Sequence, residues 1–504
     1  MPNLSPPRTL STPVREIRGA ITARRLLSHP AAVLLLPPEP DAAAWSAVPL
    51  APLVSGLFAQ KKRKPGDTLE LRIGARGETL LVVGVVGPKA TAFERLQQAG
   101  RWTRAALAGE PSSLLAAQSG LAPEVAAAAG LALVAALQAA AMPLPAFKSK
   151  KVRTVALTRI DLMLGGRLPG LRQELAACAG ANLARWLTAL PPNALDATAY
   201  RRFLERLARQ LGLEYRFYSE AALKRLGAGA FLAVSQGNAR RDAGIVRLAY
   251  RPRGAGAPAL SLVGKGICFD TGGTNLKPHK SMLQMHTDMA GSAVAVGSLH
   301  ALHALDHPLA VDCWLAITEN LIGPTAYKPQ DIVTAHNGTT IQVIHTDAEG
   351  RMVLADTLSL AAARKPRAII DYATLTGACV YALTERYAGA FTNRPGTRDV
   401  IEAAGAASGE RVWCFPMDED FDTDLESSVA DVVQCAVDGK GDHILAARFL
   451  GRFVPQDIAW LHLDLASATR TGGLAHVGTE ITGFGVRYTL DLIGRGWPKV
   501  ATRR

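Results

Sequence analysis

The sequence predicts an α/β protein with two domains: a smaller N-terminal α/β domain and a larger C-terminal α/β domain with a mostly parallel central sheet. Three observations support this prediction. The chain has 504 residues, which exceeds the size at which one hydrophobic core usually stops growing. Segments typical of buried strands alternate with segments typical of helices along most of the chain. A cluster of Gly and Pro at residues 165–170 interrupts this alternation and indicates a break between the domains.

Residues 1–170 form the predicted N-terminal domain. Residues 80–86 have the continuous apolar pattern of a buried strand, and residues 91–108 follow a Gly-Pro turn with the periodicity of an amphipathic helix. Residues 152–157 indicate another strand. The domain carries no concentration of catalytic residue types, so we expect it to contribute to assembly.

One apolar stretch, residues 125–142, raises the question of a membrane span. It consists mainly of Ala, contains Gly130 and Gln138, and ends in Pro-Leu-Pro. We therefore predict a helix packed inside the protein and no contact with a membrane.

The predicted C-terminal domain, residues 171–504, opens with a long helix over residues 171–190. Four candidate strands follow at residues 259–264, 311–318, 340–345 and 367–372. The first, third and fourth of them lead into polar loops that contain glycine. Because ligands of open α/β sheets bind beyond the carboxyl ends of the strands, we expect these three loops to form the walls of one site.

Composition restricts the cellular setting and the partners. The six cysteines are far apart and form no Cys-x-x-Cys pair, which favours reduced thiols in a cytoplasmic protein. The first residues carry Pro and charge where a signal peptide needs an apolar run. The formal net charge of +13 is compatible with nucleic-acid binding. The basic run at residues 61–64 lacks interleaved aromatic residues, so we interpret it as a solvated loop and do not expect nucleic acid.

The segment TDAEGR, residues 346–351, follows the third candidate strand. Its Asp347 and Glu349 are two residues apart, so in an extended segment both carboxylates project to the same side. Two carboxylates in a tight loop repel each other unless a cation or a shared proton intervenes. A solvated turn is the alternative interpretation of this segment taken alone.

The loop after the first candidate strand adds further charges. Lys265 and Asp270 lie among apolar residues and glycines, and Lys277 follows seven residues later. Asp288 falls in residues 282–302, which have the pattern of a mostly apolar helix. A carboxylate there is costly to bury without a partner, so either a structural salt bridge to lysine or a role in a site would satisfy it.

Together these loops supply four carboxylates and three cations at the ends of neighbouring strands: Asp270, Asp288, Asp347, Glu349, Lys265, Lys277 and Arg351. Carboxylate-rich sites without sulfur suit Mg²⁺, Mn²⁺, Co²⁺ or Zn²⁺. Four carboxylates are enough to hold two such ions about 3.5–4 Å apart.

The motifs VGKGICFDTGG, NLKP, MHTDM, HTDAEGRMVLAD and DYATLTGAC occur in this order between residues 263 and 379. In order and spacing they resemble the signatures of the leucyl aminopeptidase (cytosol aminopeptidase) family. The resemblance extends from about residue 170 to residue 495 and is densest over residues 257–380. It implies a hydrolase that releases single residues, preferably Leu or Met, from the free N-termini of peptides.

The resemblance implies a role for each charged residue. Asp270 and Glu349 would bridge two metal ions, expected to be Mn²⁺ or Zn²⁺, with Mg²⁺ or Co²⁺ as alternatives. Lys265 and Asp288 would complete the tighter metal site, and Asp347 the more exchangeable one. As a metal ligand Lys265 would have to be neutral, which requires a strongly depressed pKa.

The remaining roles concern the substrate. Lys277 would stay charged and stabilise the oxyanion of the tetrahedral intermediate, and Arg351 would hold a bicarbonate ion that acts as general base. The substrate's free α-amine would bind a metal, and the backbone N–H of Leu375 would assist the carbonyl. The pocket for the first side chain would be lined by Met285, Thr374 and Gly377. The family's assembly implies a homohexamer of two trimers.

Several positions depart from the family's pattern. His345 replaces the usual Asn before TDAEGR, Thr271 replaces a Ser, and His286 replaces a common Lys. Residues 438–450 lack the usual Gly-Ala-Ile-Thr core of a further motif. These changes leave substrate preference open, so a two-metal dipeptidase of the Cys-Gly type remains an alternative. The net charge of +13 leaves a second alternative, an aminopeptidase scaffold with an added DNA-binding role.

Overall fold

The computed structural model describes residues 10–150, 157–254 and 256–498. Two large sheets and one small sheet organise this part of the chain, and helices cover the large sheets. The predicted α/β class with mostly parallel sheets is confirmed. The boundary between residues 170 and 171 stays a prediction.

The first sheet is built from the N-terminal part of the chain. Its strands are β1 (Val14–Glu16), β2 (Ala31–Leu36), β3 (Thr68–Ile73), β4 (Thr79–Val85), β5 (Ser113–Gln118) and β6 (Arg159–Met163). In the order β1-β6-β5-β2-β4-β3, neighbouring strands are parallel except for the pair β3–β4. The strand predicted at residues 80–86 is β4. All but the last residue of the strand predicted at 152–157 lies outside the described residues.

The second sheet has eight strands and the third has three. The second contains β7 (Glu214–Ser219), β8 (Gly244–Tyr250), β9 (Leu260–Asp270), β10 (Val311–Asn320), β13 (Ala368–Ala373), β14 (Ala388–Thr392), β15 (Val412–Cys414) and β17 (Ala459–Asp464). The third contains β11 (Ile332–Thr334), β12 (Thr340–Gln342) and β16 (Val432–Val433). The eight strands run in the order β15-β14-β17-β13-β9-β10-β8-β7, and the central four are parallel.

Sixteen α-helices lie in the described part of the chain. They are α1 (Ala23–Leu27), α2 (Ala42–Ser46), α3 (Ala51–Phe58), α4 (Ala92–Leu107), α5 (Pro123–Ala141), α6 (Leu171–Thr188), α7 (Ala197–Leu211), α8 (Glu220–Arg225), α9 (Gly229–Ser235), α10 (His279–Met282), α11 (Ala290–Ala304), α12 (Glu349–Ala362), α13 (Gly377–Leu383), α14 (Arg398–Ser408), α15 (Asp442–Gly451) and α16 (Val486–Gly494). The helices predicted at residues 91–108 and 171–190 are α4 and α6. Thr91 and Glu94 form a capping box that begins α4.

The central strand β9 is buried on both faces. Its Leu262 belongs to the core formed with α6 and α11, whereas the next residue, Val263, belongs to the core formed with α12. Successive side chains of a strand point to opposite faces, so a strand covered on both sides must be apolar at successive positions. Charged residues at the end of β9 therefore stand out from their surroundings.

Helix α5 contains the apolar stretch predicted to pack inside the protein. It is the one helix in the described ranges that is long and apolar enough to cross a membrane, and 61% of its most apolar window is buried. It packs between α4 and α6. This packing accounts for the apolar stretch without a bilayer.

The basic run at residues 61–64 is only partly a solvated loop. Its three lysines are exposed, but the side chain of Arg63 is buried and donates to the carbonyl oxygens of Phe58 and Leu57 at 3.1 Å each. Arg63 thus closes the end of α3, and the interpretation of the whole run as solvated was wrong at this residue. All six cysteines are free thiols, as predicted.

Three predicted elements near the charged residues have different bounds in the structure. Strand β9 continues six residues beyond the predicted end at 264, because it stays paired with β10. The predicted strand at 340–345 ends at residue 342 and lies in the small sheet. The helix predicted over 282–302 is divided into α10, a 3-10 turn (Met285–Thr287) and α11, and Asp288 lies between the last two.

Candidate metal centre

The ends of β9 and β10 hold Asp270 in place. Asp270 and Asn320 are opposite each other in the parallel register. Asp270 Oδ1 accepts hydrogen bonds from Asn320 Nδ2 and from the backbone N–H of Gly272, both at 2.8 Å. Asn320 Nδ2 also donates to the carbonyl of Thr346 at 3.1 Å, so one amide joins the first loop to the TDAEGR segment.

Lys265 lies at the buried end of the centre. Its Nζ is 2.9 Å from Asp288 Oδ1, 2.8 Å from Glu349 Oε1 and 3.1 Å from the carbonyl oxygen of Thr374. The side chains of Lys265, Asp288 and Glu349 are each less than a tenth exposed. Four separate chain segments therefore meet at this ammonium group.

Lys277 lies at the more open end. Its Nζ is 2.9 Å from Asp270 Oδ2 and 2.5 Å from Asp347 Oδ1. One carboxylate oxygen from each of Asp270, Asp347 and Glu349 lies within 4.8 Å of the others, a separation that a metal ion can span. The predicted convergence of these carboxylates is therefore present in the structure.

The TDAEGR segment reaches the centre through a turn that leads into a helix. Glu349 is the first residue of α12, whereas Asp347 lies in the preceding turn, so the segment is not extended and the condition under which both carboxylates project to one side is not met. Gln434 holds this turn: its Oε1 accepts from the N–H groups of Ile344 and His345 at 3.1 Å, and its Nε2 donates to Ala348 O at 3.0 Å.

Two glycines allow close approach in the centre. A Cβ on Gly350 would lie 2.7 Å from Lys265 Nζ, so a side chain there would displace the lysine. Gly272 has φ +87°, and a Cβ there would lie 2.4 Å from Asn275 O and 2.9 Å from Asp347 Oδ1. Glycine at these positions lets the backbone pass next to the charged groups.

Burial and mutual repulsion raise the pKa values of the acids. Burial raises the pKa of Glu349 to about 8, and the neighbouring carboxylate of Asp270 adds to the effect. Burial raises the pKa of Asp288 to about 6 despite the opposing charge of Lys265. The pKa of Asp347 is raised by burial and by Asp270. Clustered acids of this kind favour a bound cation, which removes the repulsion.

The two lysines have raised pKa values. Burial lowers the pKa of Lys265, but the carboxylates of Asp288, Glu349 and Asp270 outweigh that effect and raise it above the usual value. For Lys277 the carboxylates likewise outweigh burial. The depressed pKa of Lys265 is expected beside bound metal ions, whereas its protein neighbours alone raise that pKa. A metal ion that binds its nitrogen must therefore displace a tightly held proton.

The donor set fits divalent metal ions. It consists of carboxylate oxygens with no sulfur, and Asp288 Oδ2 is buried without a hydrogen-bond partner in the described part of the protein. A buried carboxylate oxygen without a partner is costly unless a cation binds it. Asp288 therefore combines the two interpretations that the sequence left open, because it pairs with Lys265 and still has one oxygen available.

Arg351 faces a partner that the sequence did not indicate. Its Nη2 donates to both oxygens of Asp442, at 2.8 and 2.9 Å, and its Nη1 donates to Gln434 O at 3.2 Å. Burial lowers the pKa of Arg351, but Asp442 outweighs this and raises it. One terminal nitrogen of the residue that was expected to hold bicarbonate is therefore bound to a carboxylate of the same chain.

Two of the expected substrate residues, Thr374 and Met285, lie next to the buried end of the centre, and Leu375 differs from the expectation. Thr374 Oγ1 donates to Asp288 Oδ1 at 2.8 Å, and the turn that begins at Met285 packs on β9. Gly377 is exposed at the start of α13. The backbone N–H of Leu375, however, donates to Asp464 Oδ1 at 3.1 Å. That N–H therefore holds the loop in place and is not free for a substrate carbonyl.

The substituted residues have local partners. His345 is exposed, and its Nδ1 accepts from the backbone N–H of Asp347 at 3.2 Å, so its ring stabilises the turn that carries a candidate ligand. Thr271 Oγ1 donates to Asn320 O at 2.8 Å. His286 is half-buried, and burial lowers its pKa.

Sequence reasoning missed Asn320, Gln434, Asp442 and Asp464. A signal existed for Asn320, since it follows the second candidate strand by two residues and the ends of neighbouring parallel strands meet at one edge. The other three contact the centre from positions 83 to 91 residues away in the chain. Neither local periodicity nor motif spacing indicates such contacts.

Comparison with known proteins gives sequence relatives along most of the chain. A model of the catalytic domain of the cytosol aminopeptidase family matches residues 182–490. The chain is 38% identical over 444 residues to a probable cytosol aminopeptidase of Parasynechococcus marenigrum. This alignment covers 85% of this chain and 89% of that protein. It is 42% identical over 329 residues to a probable cytosol aminopeptidase of Methylorubrum extorquens, with coverage of 64% and 65%.

Solved structures share the fold. The chain is similar to the bottromycin maturation enzyme BotP in complex with Mn, with 30% identity, a TM-score of 0.79, and coverage of 93% of this chain and 100% of that chain. It is also similar to a mutant of tomato leucine aminopeptidase, with 26% identity, a TM-score of 0.83, and coverage of 97% and 98%.

Proposed function

The chain belongs to the cytosol aminopeptidase family and is a metal-dependent aminopeptidase, and from this premise we propose which of its residues carry the activity. The observation that supports the proposal is the convergence of Asp270, Asp288, Asp347 and Glu349 on the two ammonium groups of Lys265 and Lys277. No other group of three or more potential ligands meets in the described part of the chain.

The carboxylates and Lys265 would hold two divalent ions. Glu349 contacts Lys265 and Asp270 contacts Lys277, and both carboxylates raise the pKa of both lysines, so these two residues would be suited to bind both ions. Asp288 and Lys265 would complete the buried site, and Asp347, whose side chain is 27% exposed, would complete the more exchangeable one. When bound, such ions polarise the scissile carbonyl and supply a hydroxide near neutral pH.

Lys277 stabilises the negative charge that develops on the substrate carbonyl oxygen. Its side chain is 13% exposed, so the ammonium group borders both the carboxylates and the open side of the centre. Its raised pKa keeps it charged across the working range. A fixed positive charge of this kind contributes more in the transition state than in the ground state.

The substrate is a peptide with a free N-terminus and an apolar first residue. The α-amine binds at the metal centre, which restricts cleavage to the terminal residue. Met285, Thr374 and Gly377 line the pocket for the first side chain, and the half-buried Leu375 contributes through a loop that Asp464 fixes. A wall of this composition favours Leu or Met.

The metal identity, the location and the assembly are further parts of the proposal, and the family resemblance and the composition support them. Mn²⁺ or Zn²⁺ occupies the centre, with Mg²⁺ or Co²⁺ as substitutes, because the donors discriminate weakly among these ions. We place the enzyme in the cytoplasm as a homohexamer, with residues 1–170 contributing to assembly. The comparisons give no support to the Cys-Gly dipeptidase or to an added DNA-binding role.

The test is release of leucine from Leu-amide by protein stripped of metal and titrated with each of the four ions. We expect activity that appears with metal, saturates near two ions per chain and is absent with N-acetyl-Leu-amide. Hydrolysis of the acetylated substrate would contradict amine binding at the centre. Hydrolysis that is unchanged after complete removal of metal would contradict the assignment of the carboxylates as metal ligands.

A further inference from the structure

Arg351 is a buried cation that forms an ion pair with Asp442 of the same chain. Its side chain is 2% exposed, and that of Asp442 is 26% exposed. Both oxygens of Asp442 lie within 2.9 Å of Arg351 Nη2. Nη1 donates to Gln434 O, and Nε has no hydrogen-bond partner in the described part of the chain. The carboxylate of Asp442 is therefore the anion that hydrogen-bonds to this guanidinium group, and it does so through Nη2.

The backbone holds this carboxylate where it is. Asp442 is the first residue of α15, and the preceding Gly441 has φ +60°, a left-handed conformation that glycine adopts without strain. A negative side chain in the first turn of a helix is favoured by the helix dipole. Two independent features, the helix start and the buried arginine, thus stabilise an anion at this point.

The position matters because Arg351 follows Glu349 by two residues in the first turn of α12, beside the metal centre. A soluble anion and the carboxylate of Asp442 would compete for the same guanidinium nitrogen of Arg351. A soluble anion would have to displace the Asp442 carboxylate, whose two oxygens both lie at hydrogen-bond distance from a guanidinium nitrogen of a side chain that is 2% exposed. The carboxylate of Asp442 is part of the same chain, so it binds Arg351 without displacing another anion and without the loss of entropy that association of a free anion entails.

We propose that Asp442 is a resident anion that fills the place on Arg351 where a bicarbonate ion was expected, so that this enzyme works without bicarbonate. Its carboxylate takes one proton from the attacking water and gives it to the nitrogen of the leaving amine as the peptide bond breaks, which leaves the carboxylate unchanged. This inference rests on the aminopeptidase activity proposed above.

The first test uses the unmodified, metal-loaded protein with Leu-amide in buffer freed of carbon dioxide. We expect kcat/KM to be unchanged when bicarbonate is added, and isotope-labelled bicarbonate to show no binding by NMR. Stimulation by bicarbonate, or bound bicarbonate that is lost in an Arg351→Met variant, would overturn the inference.

The second test compares two substitutions that differ in volume. Asp442→Ala opens space on Arg351, and we expect it to lower kcat about 100-fold, within the range of a positioned proton acceptor, and to gain both bicarbonate binding and rescue by bicarbonate or formate. Asp442→Asn keeps the volume without the charge, and we expect low activity without rescue. Full activity of both variants would overturn the inference.

A matched control and a folding check accompany these variants. Asp438, four residues earlier in the loop that precedes α15, pairs with Lys440, and its side chain is 54% exposed. Asp438→Asn should leave kcat and bicarbonate binding unchanged. If Asp442→Ala unfolds, the bicarbonate response of the unmodified protein still decides the question. Absence of metal-dependent hydrolysis by the unmodified protein would instead refute the proposed function, and the NMR measurement would still report on the anion site.

Discussion

Glu410 provides a test of the electrostatics far from the metal centre. Its buried carboxylate accepts hydrogen bonds from the backbone N–H groups of Gly485 and Tyr488, at 2.9 and 2.8 Å, and so caps the start of α16. Burial raises the pKa of Glu410 from 4.5 to about 7 against the lowering effect of these bonds. The folded protein therefore binds a proton there at pH values at which the unfolded chain has released it.

The sign and size of the effect follow from that pKa. Because the pKa is raised on folding, the stabilising contribution of the protonated form is complete below pH 4.5 and is lost as the pH rises through about 7. Each pKa unit corresponds to about 1.4 kcal/mol, so the loss amounts to about 3 kcal/mol. A Glu410→Gln variant keeps an oxygen that accepts both N–H bonds but does not titrate.

The assay is thermal unfolding of metal-loaded protein and variant between pH 5 and pH 8. We expect the difference in Tm, variant minus unmodified protein, to rise by about 2–4 °C over this range. A constant offset at all pH values is unimportant, because it reflects the change of side chain alone. An exposed control, Glu385→Gln, should show no trend with pH. Parallel curves for Glu410→Gln and the unmodified protein would refute the reasoning.

Three further predictions concern the metal centre. Glu349→Ala should abolish hydrolysis and weaken metal retention without unfolding the protein, and near-normal activity by leucine release would contradict the two-metal assignment. Lys277→Ala should lower kcat by about 100-fold or more while metal content, measured by atomic absorption, stays close to two ions per chain; equal loss of both would make Lys277 structural. His345→Asn should keep activity but change the preference among amides of Leu, Met and Ala, because the ring of His345 supports the turn of Asp347; an identical profile would limit His345 to packing.

Several elements of the fold were predicted from the sequence, but the strand end that carries part of the centre was not. The helix α6 and strands β10 and β13 lie close to their predicted positions, because each is specified by an apolar pattern within a dozen or so residues. The end of β9 was not predictable in the same way. Lys265 and Asp270 interrupt the apolar pattern, and only pairing with the neighbouring strand keeps these residues extended.

The residues of the centre show the same division. The sequence indicated every member of the charged cluster, since acids and lysines in glycine-containing loops at strand ends are recognisable by type and spacing. It did not indicate that Asp288 lies outside a helix or that its carboxylate faces Lys265. Asp288 lies just before α11 and not within a helix, so its carboxylate turns towards Lys265.

The sequence by itself determined the α/β class, the principal helices and strands and the identity of the charged groups, because these depend on local periodicity and residue type. Tertiary structure alone decided that Asn320 orients Asp270, that Asp464 holds the Leu375 N–H and that Asp442 binds Arg351 from 91 residues away. Such contacts depend on which distant segments the packed core brings within hydrogen-bond distance. A buried charge then takes whichever partner that packing supplies.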